Sequence, residues 1–258
     1  EAYTLLGAIA ARTARVRLGT MVTGVTYRNP ALVAKQVTTL DVISSGRAIL
    51  GMGAAWYQDE HLGYGFGYPP VRERFERLEE AVQICRAMFT EESPSFAGVH
   101  HGIDQALNIP RPVTPGGPPI LIGGGGEGQT LRLVAKYADA CNFFGDAAVA
   151  RHKLDVLARH CETVGRDPAE ITKTRLGSLV IAPTQEEAER RAEAVRVARR
   201  MPEEWFRAGV TFGGPEQVAA SCRQLLDAGL DALLFNVWPA GDLEAVSLAG
   251  ATLSGLFA

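Results

Sequence analysis

The chain carries little excess charge of either sign: 26 Lys and Arg stand against 29 Asp and Glu, a net of −3 over 258 residues. That balance gives no sign of a nucleic-acid or membrane-surface partner. No apolar run approaches the ~20 residues that a membrane-spanning helix needs, and the first residues lack the pattern of a secretory signal. Cysteine is sparse, and Cys85, Cys141, Cys161 and Cys222 are widely spaced, with no C-x-x-C pair. Three of them fall on apolar helix faces and one in a strand, which reads as reduced core residues of a cytoplasmic protein. His100 and His101 face opposite sides of an extended segment, so no metal is expected there.

What the chain does have is apolar residues (47%) and 28 glycines, four of them consecutive. The hydrophobic content suffices for a sizeable core, and the length suits a single α/β barrel. The glycines follow the apolar run Ile120-Leu121-Ile122 as Gly123 to Gly126, and Glu127, Gly128 and Gln129 lead into a helical pattern with Leu131, Val134, Ala135 and Ala138 on one face. This is strand, tight turn, helix N-terminus. Backbone N–H groups can converge there on an anion that the helix dipole also favours, and a phosphate is the natural guest. Gly123, Gly125 and Gly128 also satisfy G-x-G-x-x-G, with Asp146 at about the dinucleotide-binding distance. A Rossmann fingerprint opens its domain, however, and here at least two βα units and a long insertion come first.

In order, the pattern predicts a helix over 1–14 without a capping signal, a strand over 16–23, and a helix begun by Asn29-Pro30 that buries Val33, Val37 and Leu40. A strand over 48–53 runs into an aromatic loop, 54–61. The Gly/Pro/aromatic stretch 63–71 and the irregular excursion 93–117 flank a strong helix and read as insertion or lid segments that wall the mouth of a site. Strands over 140–144, 175–182 and 232–237 alternate with helices, one of them a charged helix over 185–200 whose Arg196, Arg199 and Arg200 read as a solvated face. Alternating β and α argues a parallel sheet covered by helices. Six strands are two short of a (β/α)8 barrel, so one or two βα units are expected upstream of Glu1, with 1–258 as one incomplete barrel domain.

Several blocks carry a resemblance. Gly19-Thr20-Met21-Val22-Thr23 with Tyr27-Arg28-Asn29-Pro30-Ala31 resembles the third strand and following helix of the bacterial luciferase-like family, closest to its deazaflavin (coenzyme F420)-dependent oxidoreductases. Thr39 to Arg47 with Gly51-Met52-Gly53-Ala54-Ala55-Trp56 is similar to the fourth-strand block. Arg77 to Val82, Pro119 to Gly124 and Gly213 to Val218 continue the series in order, over nearly the whole chain.

The resemblance implies a TIM barrel with the cofactor at the C-terminal mouth and hydride transfer between F420 and a small organic substrate. The same fold also serves FMN-dependent monooxygenases, and a non-catalytic flavin-binding or interaction protein is a third reading. The resemblance further implies a bulge with a non-proline cis peptide against the ring, matched by Thr20, Met21, Val22 and Thr23. A loop near the ring is matched by Ala54, Ala55, Trp56 and Asp59. A phosphate turn is matched by Gly124, Gly125, Gly126, Glu127 and Gly128. A homodimer is implied as well. Where sugar-phosphate-oxidising members carry a Glu proton donor, this chain has Trp56, expected to wall the pocket. Asp59, Glu60 and His61 are the candidates left for acid–base work, although a buried carboxylate bracing neighbouring backbone or an Arg describes Glu60 at least as well and a partly exposed loop residue describes His61.

Overall fold

The computed structural model describes residues 1–256, apart from the side chain of Ala208. The chain runs α1 (Ala2–Arg12), β1 (Leu18–Gly19), β2 (Thr23–Gly24), α2 (Pro30–Ser44), β3 (Ala48–Gly53), α3 (Gln58–Gly63), α4 (Val71–Thr90), β4 (Phe96–Ala97), β5 (Gly102–Ile103), β6 (Ile120–Gly123) and α5 (Thr130–Tyr137). It continues β7 (Ala140–Phe143), α6 (Ala147–Val164), β8 (Thr172–Ile181), α7 (Gln185–Ala198), α8 (Glu203–Gly209), β9 (Val210–Gly213), α9 (Pro215–Asp227), β10 (Ala232–Val237) and α10 (Leu243–Leu253). Among the described residues, no helix is long and apolar enough to cross a membrane. Two compact units result, Glu1–Cys141 with His160–Ile171, and Asn142–Arg159 with the chain from Thr172 onward.

The first unit is built on a parallel sheet. β3 takes β1 through Leu18↔Ala48, β2 through Thr23↔Met52, and β6 through Leu50↔Ile120. β3 is buried because it lies between these neighbours with helices above it, as a central parallel strand must be. α2 starts where Asn29 accepts the N–H groups of Ala31 and Leu32 and Pro30 presets the first turn. α2 and α4 bury Val33, Val37, Leu78, Val82 and Cys85.

Charged side chains tie the connections to this frame. Arg47 donates to the carbonyls of Ala10, Thr13, Val16 and Ser44, and so caps the C-terminal ends of α1 and α2. Asp41, fully buried, accepts the N–H groups of Val113 and Thr114 and the Thr114 hydroxyl. Glu80 accepts the N–H groups of Val99, His100 and His101 at the tip of the β4–β5 hairpin.

In the second unit, β8 pairs in parallel with β10 from Ala232↔Thr174 to Val237↔Leu179 and with β9 from Ser178↔Val210 to Ile181↔Gly213. Its residues alternate as a strand's must. Leu179 and Ile181 pack against Val218 and Cys222 of α9 and Ala245 and Ala249 of α10. Val180 meets Ala192 of α7, Phe206 and Val210.

Several sequence expectations change here. The strand foreseen over 16–23 is two short strands, broken at a cis peptide between Met21 and Val22. Glu1 does cap α1, accepting from Tyr3 and Thr4. Residues 58–63 form the helix α3 rather than loop. The charged helix ends at Ala198, and α8 and β9 follow it unforeseen. All four cysteines are buried. Asp146, which stands at about the dinucleotide-binding distance, accepts the N–H groups of Ala148 and Val149 at the start of α6.

Candidate functional site

A cavity of about 910 Å³ opens beside the β1–β2 break, lined among others by Tyr3, Thr20, Met21, Val22, Thr23, Tyr27, Glu60 and Phe66. Its floor follows from glycines on two neighbouring strands. A Cβ on Gly51 would lie 1.9 Å from the Thr20 carbonyl oxygen, and one on Gly53 would lie 2.7 Å from Val22 Cγ2. A Cβ on Gly123 would lie 2.8 Å from Val22 Cγ1. With side chains at these places the 20–22 backbone could not approach β3 and β6 as it does.

The hydroxyls beside the break form a directed relay. Thr20 Oγ1 donates to the Gly51 carbonyl at 3.0 Å, so it must accept from Thr23 Oγ1 at 2.7 Å. Thr23 then accepts from the Tyr3 hydroxyl at 2.6 Å. Burial pushes the Tyr3 phenol above its ordinary pKa, against the pull of the two threonine hydroxyls, so it serves as a neutral donor.

The opposite wall is aromatic. Tyr27 stacks on His61 with centroids 4.4 Å apart and meets Phe66 edge-on at 5.1 Å. Its hydroxyl donates to Glu60 Oε2 at 2.7 Å, and burial together with this carboxylate raises its pKa to about 12. His61 Nδ1 lies 2.6 Å from the Tyr57 carbonyl and must carry a proton there, while Nε2 meets Thr26 Oγ1 at 2.7 Å.

Ala54 and Ala55 continue from β3, and Ala55 sits at φ +60°. The buried Arg74 holds its carbonyl at 2.7 Å and lies over the Tyr68 ring, whose hydroxyl in turn donates to the Trp56 carbonyl. The glycine turn lies between β6 and α5. Gly124 has φ +136°, Gly128 has open space where a Cβ would stand, and no side chain caps α5. Glu127 is exposed and its carbonyl lies 2.8 Å from His160 Nε2.

The structure thus gathers Thr20, Met21, Val22, Thr23 and Glu60 on one cavity, with Val22 against Gly123, the residue before the glycine turn. It does not bring in every candidate. Trp56 is 81% exposed and does not line the cavity, because Tyr68 and Arg74 fix its backbone while its ring leans on Tyr57. His61 is wholly buried rather than partly exposed, because every polar atom of its ring finds a protein partner. Glu60 is exposed rather than buried and accepts from the Tyr27 hydroxyl rather than bracing backbone or an arginine, and Asp59 is an exposed residue in the first turn of α3. Of the walls expected from loops, Tyr64 and Phe66 line the cavity, whereas 93–117 does not. Tyr3, Tyr27 and Arg28 also line it. The sequence signal available for Tyr27 and Arg28 was their place just before the α2 start.

Comparison with known proteins bears on this geometry. Residues 1–198 match the model of the luciferase-like monooxygenase family. The F420-dependent glucose-6-phosphate dehydrogenase of Kineococcus radiotolerans is 31% identical over 260 residues, covering 88% of this chain and 74% of that protein. Among solved structures, an F420-dependent secondary alcohol dehydrogenase in complex with an F420–acetone adduct superposes with a TM-score of 0.88 at 18% identity, over 99% of this chain and 84% of the other. The coenzyme F420-dependent tetrahydromethanopterin reductase of Methanopyrus kandleri gives 0.85 at 17% identity, over 100% and 88%. These likenesses show the fold, the α/β TIM-barrel type of luciferase-like proteins.

Proposed function

This chain belongs to the luciferase-like monooxygenase family, and we propose that it is an oxidoreductase that uses coenzyme F420 to transfer hydride to or from a small organic substrate. The observation that carries the reading is the cavity itself. Its volume of about 910 Å³ lies in the range of ligand sites, ~300–1,000 Å³, and one wall is the Met21–Val22 backbone seated on three glycines. A flat tricyclic ring fits against such a wall. The nearby turn fits the cofactor's phosphate, since it offers an uncapped helix N-terminus and open space over Gly128.

The deazaflavin supplies the redox chemistry when bound, accepting or returning a hydride at one ring carbon. The chain's own residues bind and orient. Thr20 to Thr23 form the backstop for the ring, and the relay from Tyr3 holds them rigid. Ala54 and Ala55, fixed through Arg74, border the ring's edge. Gly124, Gly125, Gly126, Glu127 and Gly128 hold the phosphate. Tyr64 and Phe66, from the 63–117 insertion segments, shield the mouth from water. A homodimer in the cytoplasm goes with this reading. The test is stoichiometric reduction of F420, followed by loss of its fluorescence, when the protein is given a panel of small alcohols. Reduction requiring the protein supports the proposal, and no reduction by any alcohol together with no oxidation of the reduced cofactor by any carbonyl compound rejects it.

A further inference from the structure

A buried charge behind the aromatic wall bears on the redox state of the cofactor, an inference that rests on the F420 reading above. Arg74, near the start of α4, is 6% exposed. On the same helix Arg72 and Arg77 pair with Glu76 and Glu73. Arg74 pairs with no carboxylate among the described residues, and the groups it touches are neutral. Nη1 donates to the Ala55 carbonyl at 2.7 Å and to the Tyr68 hydroxyl at 2.8 Å, the guanidinium lies 4.3 Å from the Tyr68 ring centroid, and Nε has no partner. A guanidinium does not give up its proton inside a protein, so a full positive charge is held there without a counter-ion. Such burial is costly. Bracing the 54–56 loop needs only a neutral donor, so the charge calls for a reason of its own.

The charge sits directly behind the cavity wall. A Cβ on Gly24, a lining residue, would lie 3.3 Å from the Ala55 side chain. Tyr68 meets His61 edge-on at 4.9 Å, and His61 stacks on Tyr27, which also lines the cavity. The peptide joining Ala55 to Trp56 is trans. Its N–H therefore points opposite to the carbonyl that Arg74 holds, and the guanidinium polarises that donor. We propose that Arg74 is a positioning residue whose uncompensated charge favours the reduced form of the deazaflavin over the oxidised form. A hydride carries two electrons and one proton from the substrate, so the accepting ring gains one unit of negative charge and the substrate releases one proton to water. A fixed positive charge nearby stabilises the ring more after that gain than before it, and so raises the potential of the bound couple. Glu60 carries the opposite charge, but it is exposed, and water and salt screen it.

The experiment uses the full chain and two probes, oxidised F420 and F420 reduced with borohydride, each titrated by quenching of tryptophan fluorescence. The ratio of the two dissociation constants gives the shift in potential on binding, because binding and reduction close a thermodynamic cycle. Arg74→Gln keeps a donor for the Ala55 carbonyl and removes the charge. It should weaken binding of the reduced form at least tenfold more than that of the oxidised form, a fall in the bound potential of about 30 mV. Arg74→Lys keeps the charge and should hold the ratio within about threefold of the unaltered chain. Tyr68→Glu leaves the guanidinium and supplies the counter-ion it lacks. It should move the ratio as Arg74→Gln does, and it carries the test if Arg74→Gln does not fold. A brace without an electrostatic role would weaken both forms alike. An unchanged ratio in Arg74→Gln or Tyr68→Glu, or an equal loss in Arg74→Lys, overturns the inference while leaving the F420 reading intact. Failure of the unaltered chain to bind F420 in either form overturns both.

Discussion

The floor beneath the cavity predicts a specific energetic coupling between Val22 and Gly123. The three atoms nearest to an added Cβ at Gly123 all belong to Val22, Cγ1 at 2.8 Å, Cγ2 at 3.4 Å and Cβ at 3.7 Å. Gly123→Ala should therefore cost about 1–2 kcal/mol, the low part of the ~1–3 kcal/mol typical of overpacking, because the obstacle is a side chain and not backbone. Val22→Ala removes two half-buried methyls and should cost about 1 kcal/mol, at ~0.8 kcal/mol per fully buried CH₂. In the double variant the two changes compensate, since the nearest remaining atom, at 3.7 Å, is in ordinary contact. The pair should then lose only about 1 kcal/mol, a coupling of at least about 1 kcal/mol. Gly51→Ala is the control: its Cβ would strike the Thr20 carbonyl oxygen at 1.9 Å, which Val22→Ala cannot relieve. Urea unfolding of the single and double variants at unchanged m-value reads all of these. Additivity within about 0.5 kcal/mol for Val22 and Gly123 would refute the packing described here.

Other consequences are as direct. Gly128→Val meets open space in the protein, so it should leave the melting temperature unchanged yet weaken F420 binding at least tenfold; equal affinity would remove the turn from the site. Asp41→Ala strips the acceptor from two backbone N–H groups and one hydroxyl, and at ~1.5–3 kcal/mol for each charged hydrogen bond, discounted for rehydration of the exposed loop, the loss should be about 3–5 kcal/mol in denaturant titration. Burial alone would raise the Glu80 pKa, but three backbone N–H donors overcome it and the value falls below 4.5. The contribution of Glu80 is therefore fully present above that value and is lost as pH falls through the lower native one. Hydrogen exchange at Val99 to His101 should stay slow, relative to the intrinsic rate, at pH 6 and accelerate in acid. Glu80→Gln should exchange fast at both.

How legible this was depended on the range of the interactions. The alternation of strand and helix showed because apolar periods of 2 and 3.6 are local, and Asn29-Pro30 announced α2 through capping chemistry alone. The break at Met21–Val22 had no local signal beyond the resemblance, since Thr and Val favour plain extended strand. β9 and α8 escaped because Val210–Gly213 is only four residues long and the helix before it shows no apolar stripe. The burial of His61 could not be foreseen beside Asp59 and Glu60, because its partners Thr26 and Tyr27 lie more than thirty residues away. Asp41 and Glu80 look like surface carboxylates in sequence, and only the fold brings them the N–H groups they hold.

The central claim, that the cavity beside Met21 and Val22 with the glycine turn is a deazaflavin site, is tested most directly by parallel fluorescence and absorbance titrations of the protein with F420 and with FMN. Saturable perturbation of the F420 spectrum at one site per chain, abolished by Gly128→Val and absent or far weaker with FMN, is the predicted result. Saturable FMN binding with no response from F420 would contradict it.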